Sequence, residues 1–229
     1  MPPSFSRHHV TPTRSDQESC SRVPARMPAA QRRVQLIDVA QSLFAVHGYH
    51  HISMDDIAAA AHVTKPVLYK HFPSKLDLYL AAVEDRGQDL TARVTYSLDQ
   101  AAQSTAVTGR MIVRAVIDSY VAFVRDCGVQ ATLLFESDVT RDEATREKIN
   151  APNTHIAATV ATVLTRVAAV SPQQALHLAR TTVALAQHTA TSLSARVSLS
   201  AEDCTDHIET ATAFAWGGLT EALSPHTPQ

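Results

Sequence analysis

Apolar residues near the start of the chain recur every three or four positions, a spacing that predicts amphipathic helices. The first helix begins near Arg32 and ends at Gly48, since glycine commonly follows the last turn of a helix. The apolar face of this helix consists of Leu36, Ile37, Ala40, Leu43 and Phe44.

Two shorter helices are predicted next, separated by a tight turn. Ser53, with Asp56 three residues later, is typical of a helix N-terminus, and this second helix runs over 54–60. Thr64 precedes a third helix that has Pro66 in its first turn, where a missing N–H breaks no hydrogen bond. Two short helices joined in this way are typical of a helix-turn-helix unit.

The rest of the chain predicts longer helices with polar joints. We expect an all-α fold, with an N-terminal three-helix helix-turn-helix domain at 28–76 and a larger C-terminal helical domain at 77–222. The long helices are expected at about 74–101, 107–126, 130–138, 142–169, 172–196 and 201–222.

Composition supports the all-α fold and indicates the cellular compartment. Only 6 of the 229 residues are glycine and 5% are aromatic, which argues against a many-stranded β fold. The three cysteines are widely spaced, as in proteins of a reducing compartment. No apolar run approaches the roughly 20 residues that cross a bilayer. We therefore expect a cytoplasmic protein without a membrane partner.

Charge is distributed unevenly. Residues 1–80 hold nine Lys or Arg against six Asp or Glu, whereas 81–229 hold eleven against sixteen. A basic first third fits an electrostatic footprint confined to one module. Residues 1–27 are predicted to be a disordered basic tail and 223–229 a second disordered tail. The first tail is either an arm that touches DNA or an inert extension, and Met27 is an alternative start of translation.

The third helix offers polar side chains at a spacing suited to a DNA groove. Leu68 and Phe72 are four residues apart and should face the core, with Ile57 and Phe44. The outward set is then Thr64, Lys65, Tyr69, Lys70 and His71, with Val67 available for apolar contact. A packed bundle with a solvated face would show a similar pattern, so these local features leave both interpretations open.

Lys75 adds an electrostatic argument. It lies in the first turn of the fourth helix, where the helix dipole disfavours a cation. A DNA phosphate lying alongside would offset that local cost. The position therefore favours a nucleic-acid contact.

A continuous stretch over 39–80 carries a family resemblance. It contains A-x-x-L-F-A-V-H-G-Y, followed by S-M-D-D-I-A-A-A-A-H-V-T-K-P-V-L-Y-K-H-F-P-S-K-L-D-L-Y. This pattern resembles the DNA-binding domain of the TetR family of regulators. The resemblance implies a homodimer whose two third helices enter successive major grooves of an inverted repeat in double-stranded DNA. It also implies a cytoplasmic protein associated with the nucleoid.

The resemblance also assigns DNA contacts. Phosphates would be held by Ser53, Tyr69 and Lys75. Base edges or the flanking backbone would be approached by Thr64, Lys65, Pro66, Val67, Lys70 and His71.

In such regulators the C-terminal helices bind a small molecule and form the dimer interface. The dimer interface is expected at Leu185, Phe214, Trp216, Gly217 and Leu219, although the same helices would also suit an internal core. Few cations interrupt the apolar faces, which favours a lipophilic effector. The candidate pocket residues are Leu90, Val94, Leu98, Ile112, Val116, Tyr120, Phe123, Leu134, Phe135 and His188.

A finer resemblance concerns the effector. The segments L-L-F-E-S-D-V-T at 133–140, F-A-W-G-G-L at 214–219 and K-P-V-L-Y at 65–69 are similar to those of actinobacterial regulators of fatty-acid synthase genes. That similarity implies a long-chain acyl-CoA or fatty acid as effector, and lipid-metabolism genes as targets. An efflux or detoxification repressor and a helical ligand-binding protein without DNA affinity remain the alternatives.

The sequence contains no motif for a metal site or for an enzyme active site. The histidines at 47, 50 and 51 lack a carboxylate or cysteine at zinc-like spacing, so no metal site and no resident cofactor are expected. No phosphate-binding loop, dinucleotide fingerprint or nucleophile elbow is present, so no enzyme is predicted and no catalytic residue is assigned.

Overall fold

The computed structural model describes residues 27–135, 143–168, 170–195 and 201–223. Within these ranges the chain forms α-helices and one short 3₁₀ turn at Gly128–Ala131, and contains no strand, which confirms the all-α prediction. The predicted tails at 1–27 and 223–229, except for Met27 and Leu223, lie outside the described residues, as do residues 136–142 around the end of the predicted 130–138 helix. The helices are α1 Ala29–His47, α2 Met54–Ala60, α3 Lys65–His71, α4 Lys75–Ala102, α5 Gly109–Cys127, α6 Thr132–Phe135, α7 Glu143–Val167, α8 Pro172–Ser194 and α9 Ala201–Leu223.

Local capping explains where several helices begin. Ser53 and Asp56 form a reciprocal capping box at the start of α2, as the sequence predicts. A second box at Ser171 and Gln174 begins α8. Thr64 occupies the N-cap position of α3, but its side chain makes no capping hydrogen bond. The Thr64 hydroxyl is therefore not committed to holding the helix end.

The first three helices form a small head around an apolar core. Leu36, Ile57 and Leu68 are fully buried, and Phe44 packs edge-on against Tyr79 with ring centroids 5.3 Å apart. Tyr79 belongs to α4, which begins in the head and continues into the body. The expected domain boundary at 76/77 falls in the first turn of α4, so one helix joins the two parts.

The body is a helical bundle in which α4, α5, α7 and α8 pack on one another and α9 covers α5. Its largest fully buried side chains include Tyr120, Phe123, Ile112 and Leu90. Among the described residues, no helix is both long enough and apolar enough to span a membrane.

One contact fixes the head on α4 and another fixes α4 against α7. The Gln41 side chain on α1 is buried, and its amide donates to the Ala82 carbonyl at 3.2 Å and to Asp85 Oδ2 at 2.8 Å. Further along α4, a methyl group at Gly87 would lie 2.2 Å from Pro152 Cγ, so α4 and α7 touch through glycine. The burial of Gln41 and the need for glycine at position 87 both result from contacts between helices.

Candidate nucleic-acid interface

The third helix has one buried and one exposed face. Leu68 is fully buried and Phe72 is 2% exposed, which confirms that they face the core. Val67 is 37% and Tyr69 47% exposed, although both are large side chains. The exposed set of α3 and its N-cap comprises Thr64, Lys65, Pro66, Val67, Tyr69 and Lys70. Because these side chains are exposed, they are available to contact a groove of DNA.

His71, predicted to join that set, takes a different position. It is half-buried at the end of α3 and lines a groove between the head and the body together with Phe72 and Pro73. The geometry therefore places His71 next to the junction with the body.

The Lys65 ammonium already has an acidic partner. Its Nζ donates to Asp55 Oδ2 of α2 at 2.6 Å, and both side chains are more than half exposed. This hydrogen bond is the main cause of a raised pKa at Lys65. Exposed pairs of this kind stabilise a protein little. A DNA phosphate would compete with Asp55 for Lys65 without a large penalty.

The turn between α2 and α3 has an unusual backbone conformation. His62 adopts φ of +53°, the left-handed region, and is the one non-glycine residue in the described part of the chain with a positive φ. The Val63 N–H then donates to the Ala58 carbonyl at 2.9 Å, which closes the turn. His62 thereby sets the direction in which α3 leaves α2.

Ser53 is exposed, but its hydroxyl group already makes hydrogen bonds at the start of its own helix. Ser53 Oγ donates to Asp56 Oδ2 at 2.6 Å and accepts from the Asp56 N–H at 3.2 Å. The side-chain and backbone hydrogen bonds from Ser53 lower the pKa of Asp56. A phosphate contact by Ser53 would therefore share this oxygen with the capping box.

Lys75 corrects the argument that the sequence suggests for it. The ammonium is partly buried and donates to the carbonyls of Tyr49 and Ile52, each at 2.9 Å. It also lies 4.2 Å from the centre of the Tyr49 ring. Carbonyls of its own chain thus offset the dipole cost of a cation in the first turn. That cost is no evidence for a phosphate, and Lys75 holds the loop between α1 and α2.

A groove of about 930 Å³ separates the head from the body. Arg33 of α1 and the end of α3 form one side, whereas α4 and α7 form the floor and the other side. The Arg33 guanidinium lies 4.4 Å from the centre of the Phe72 ring. None of the residues predicted to line a pocket lines this groove.

Most of the predicted pocket residues are buried in the core of the bundle. Leu90, Val94, Leu98, Ile112, Val116, Tyr120 and Phe123 are at most 1% exposed, and Leu134 is 6% exposed. Phe135 is half-buried and stacks on Tyr120 with centroids 6.1 Å apart. His188 is exposed on α8, unlike the buried members of the set, and its assignment to a pocket stays a prediction. A stripe at helical spacing predicts burial well but does not separate a cavity wall from packed core.

A short polar chain runs through this core. Tyr120 Oη donates to Asn153 Oδ1 at 2.7 Å, and Asn153 Nδ2 donates to Gln187 Oε1 at 3.3 Å. Burial raises the pKa of Tyr120, so the phenol stays protonated and serves as a donor. The three side chains link α5, α7 and α8 and satisfy one another.

The residues predicted at the dimer interface differ in how exposed they are. Phe214 is 76% exposed on α9, the highest exposure of a large apolar side chain among the described residues, and Gly217 is also exposed. Leu185 is half-buried on α8, and the side chain of Leu219 lies outside the described part. Trp216 instead packs on α5, where a methyl group at Gly109 would lie 2.3 Å from its ring. Trp216 thus anchors α9 to its own protomer, and its place in the dimer interface stays a prediction.

Ion pairs strengthen the same attachment of α9. Arg114 Nη1 contacts Glu209 Oε2 at 2.8 Å, and Arg110 contacts the other oxygen of the same carboxylate. Arg114 also contacts Asp118 at 2.8 Å along α5. Among the described side chains, no group of three or more His, Cys, Asp or Glu is placed to hold a metal ion.

Comparison with known proteins decides the family. The model of bacterial regulatory proteins of the tetR family matches residues 36–82, which span most of α1 through the first turns of α4. The chain is 31% identical over 197 residues to the HTH-type transcriptional activator FasR of Mycolicibacterium smegmatis, and the match covers 85% of each chain. This chain belongs to the TetR family. It is a DNA-binding transcriptional regulator and, like its relatives, not an enzyme.

Solved TetR-like structures share the fold. The fatty acid degradation regulator FadR of Bacillus halodurans superposes with a TM-score of 0.63 at 16% identity, covering 82% of this chain and 96% of that one. AibR, solved in complex with isovaleryl coenzyme A and operator DNA, superposes with a TM-score of 0.61 at 18% identity, covering 80% and 97%. At these identities the likeness establishes the TetR architecture alone.

The residues that join α1 to α4, and α4 to α7, in this TetR-family regulator were not predicted from the sequence. Gln41 is polar on an otherwise apolar helix face, Gly87 is the one glycine of α4, and Pro152 lies inside α7. Each departure from the local pattern was a visible signal of a close contact. Their partners were not visible, because they lie between 41 and 65 residues away.

Proposed function

We propose that this regulator acts in the cytoplasm as a homodimer on an inverted-repeat operator, and that a lipophilic effector, a long-chain acyl-CoA or fatty acid, controls its affinity for DNA. The observation that carries the DNA-binding part is the exposed face of α3, on which Tyr69 and Lys70 are free to contact DNA while Leu68 fixes the helix from behind. We further propose that its target genes serve lipid metabolism.

The relatives support the choice of effector class. FasR is a transcriptional activator, FadR of Bacillus halodurans is a fatty acid degradation regulator, and AibR was captured with an acyl coenzyme A and operator DNA. An acyl-CoA would act by population shift, binding one head geometry more tightly than the other. Phosphate contacts from both heads would then be made in only one of the two states.

The exposed faces of α8 and α9 support the proposed dimer. Phe214 is a large apolar side chain in water, and small exposed neighbours at Thr210, Ala213 and Gly217 would let a second helix approach closely. On α8 the exposed Ala184 has the same property. Aromatic anchors among small residues are typical of an interface centre.

The test of DNA binding uses a fragment selected by the protein from a genomic library. In fluorescence anisotropy titrations, Tyr69→Ala should weaken binding about tenfold, because a hydrogen bond to a charged phosphate is lost. Lys70→Ala should reduce the slope of log affinity against log salt by about one. Tyr96→Ala is the matched control, since Tyr96 is exposed on α4, far along the chain from α3. Wild-type affinity in the Tyr69 and Lys70 variants would contradict the assignment of this face.

The effector is tested with the same DNA fragment. Acyl-CoA esters of increasing chain length are added to the preformed complex, and the expected result is a change in DNA affinity that requires a long chain. Native mass spectrometry of the purified protein reports its oligomeric state and any retained lipid together. An affinity that no acyl-CoA or fatty acid alters would remove this effector class.

A further inference from the structure

The groove between the head and the body has the size and position of a regulatory site. Its volume of about 930 Å³ falls at the upper end of the roughly 300–1000 Å³ range of small-molecule sites. Its walls come from α1, the end of α3, α4 and α7, so an occupant would touch both parts of the molecule.

The floor of the groove is apolar. Phe72 and Ala81 are almost fully buried and close the bottom of the groove, so its free apolar surface comes from residues such as Leu80 and Pro152, which are half-buried. The direct contact of Gly87 with Pro152 brings α4 and α7 together at this floor. Such a surface would bury a hydrocarbon chain or ring system.

The acidic side chains that line the groove already have hydrogen-bond partners, whereas the basic ones have no acidic partner among the described residues. Both carboxylates already accept hydrogen bonds: Asp77 from Ser74 Oγ at 2.7 Å and Glu84 from Gln88 Nε2 at 3.4 Å. The two cations have no carboxylate within 4 Å among the described residues. They are Arg33, which lies over the Phe72 ring, and Lys148 on α7. His71 and His155 add further ring nitrogens to the lining.

We propose that this groove is an effector site and that it binds an amphipathic organic anion, with its apolar part on Leu80 and Pro152 and its carboxylate or phosphate group between Arg33 and Lys148. This inference rests on the proposed function and names the place where the effector acts. It differs from the pocket expected among the buried core residues of α4, α5 and α6.

The position of the groove explains how an occupant would reach the DNA. His71 ends α3, and Phe72 and Pro73 connect α3 to α4, so the effector would contact the segment that orients the DNA-reading helix. Movement of that segment against α7 would change the angle of the head. The effector would therefore act on α3 directly, because His71 both lines the groove and ends α3.

The test uses the full chain and the fluorescent fatty acid 11-(dansylamino)undecanoic acid. Lys148→Gln removes one cation, and Gln88→Trp fills the groove from an exposed position on α4. Each should weaken probe binding about tenfold, a loss well within the reach of one charge or one blocked subsite. The matched controls are Arg166→Gln on α7 and Gln100→Trp on α4, both exposed and outside the groove, and they should bind as the wild type does.

Competition identifies the chemistry of the head group. Dodecanoate and dodecyl phosphate should both displace the probe, whereas dodecanol and dodecyltrimethylammonium should not, and the stronger of the two anions shows which group the site prefers. Equal displacement by dodecanol would overturn the requirement for an anion. Wild-type probe affinity in both Lys148→Gln and Gln88→Trp would overturn the groove as the site.

The two proposals fail in distinguishable ways. If Gln88→Trp still responds to long-chain acyl-CoA in the DNA anisotropy assay, the groove is not the site but effector control stands. If the wild-type protein binds the probe in the groove while no acyl-CoA alters its DNA affinity, the proposed effector class fails and the binding site stands.

Discussion

Lys75 shows how one side chain can be reinterpreted by its surroundings. In sequence it follows the DNA-reading helix and suggests a phosphate contact. In the structure its ammonium satisfies the carbonyls of Tyr49 and Ile52 and lies over an aromatic ring. Those acceptors belong to the loop that delivers Ser53 to the surface. Lys75 thus holds the loop that precedes Ser53, a predicted phosphate contact.

This role predicts a stability effect. Lys75→Met keeps the length of the side chain but leaves two carbonyls without their charged donor, so the free energy of unfolding should fall by about 1–3 kcal/mol. Lys70→Met is the control, because Lys70 is exposed and should change stability by less than about 0.5 kcal/mol. Urea unfolding followed by circular dichroism measures both. Equal stability in the two variants would show that Lys75 does not hold this loop.

At the scale of residues, spacing predicted burial but not partners. Leu68 and Phe72 face the core because residues four apart share a helix face, which the sequence shows directly. The pairing of Lys65 with Asp55 and the exposure of His188 depend on how helices cross. Such contacts follow from tertiary geometry, so periodicity along one helix carries no record of them.

At the scale of elements, α4 is the connection on which the head and the body depend. Gly87 is buried where α7 crosses, and Pro152 occupies the space that a side chain would need. Glycine within a helix usually weakens it by about 0.5–1 kcal/mol relative to alanine. Here the close approach of the two helices reverses that preference.

We therefore expect Gly87→Ala to destabilise the protein by about 1–3 kcal/mol, the usual penalty of overpacking. In a Pro152→Ala background the penalty should be smaller, because the nearest atom, Pro152 Cγ at 2.2 Å, is removed and Cβ at 2.9 Å remains. Denaturant unfolding of the four proteins of this cycle measures the coupling. A penalty that is the same in both backgrounds would place the strain elsewhere.

The capping box of α2 makes a prediction about pH. Ser53→Ala should lower the free energy of unfolding by about 1 kcal/mol at neutral pH. Hydrogen bonds from Ser53 hold the pKa of Asp56 below its ordinary value, so their contribution is present above the ordinary range and is lost as the pH falls through the folded-state pKa. The deficit of the variant should therefore shrink in acid.

Unfolding curves of the wild type and of Ser53→Ala between neutral pH and about pH 3, just below the ordinary pKa of aspartate, check this prediction. Asp99→Asn, an exposed change near the end of α4, controls for the loss of an unrelated carboxylate. A deficit that stays constant with pH would show that the Asp56 carboxylate takes no part in the cap.

At the scale of the whole molecule, the sequence predicted the order and extent of the helices well. The expected helix at 142–169 is α7 at Glu143–Val167, and the one expected at 172–196 is α8 at Pro172–Ser194. Breakers and caps mark these ends within a few residues. The groove could not be predicted, because its walls come from four separate helices that only folding brings together.

The proposed dimer predicts a simple change of state. Phe214→Glu places a charge at the centre of the exposed α9 face and should shift the protein toward monomer, raising the dimer dissociation constant by about a hundredfold or more, as for loss of an interface anchor. Tyr96→Glu makes the same kind of change on α4 and should leave the dimer intact. Analytical ultracentrifugation over a concentration series distinguishes them. A monomeric wild type, or a dimeric Phe214→Glu, would contradict this interface.

The attachment of α9 to its own protomer has a consequence for assembly kinetics. Trp216 seated over Gly109, and the Glu209 carboxylate held by Arg114, fix the helix before any partner arrives. Two such chains would meet as preformed surfaces, with little chain entropy left to lose on docking. In the proposed dimer, folding of each protomer and association of the two would then be separate events, and the appearance of DNA-binding dimer should depend on protein concentration.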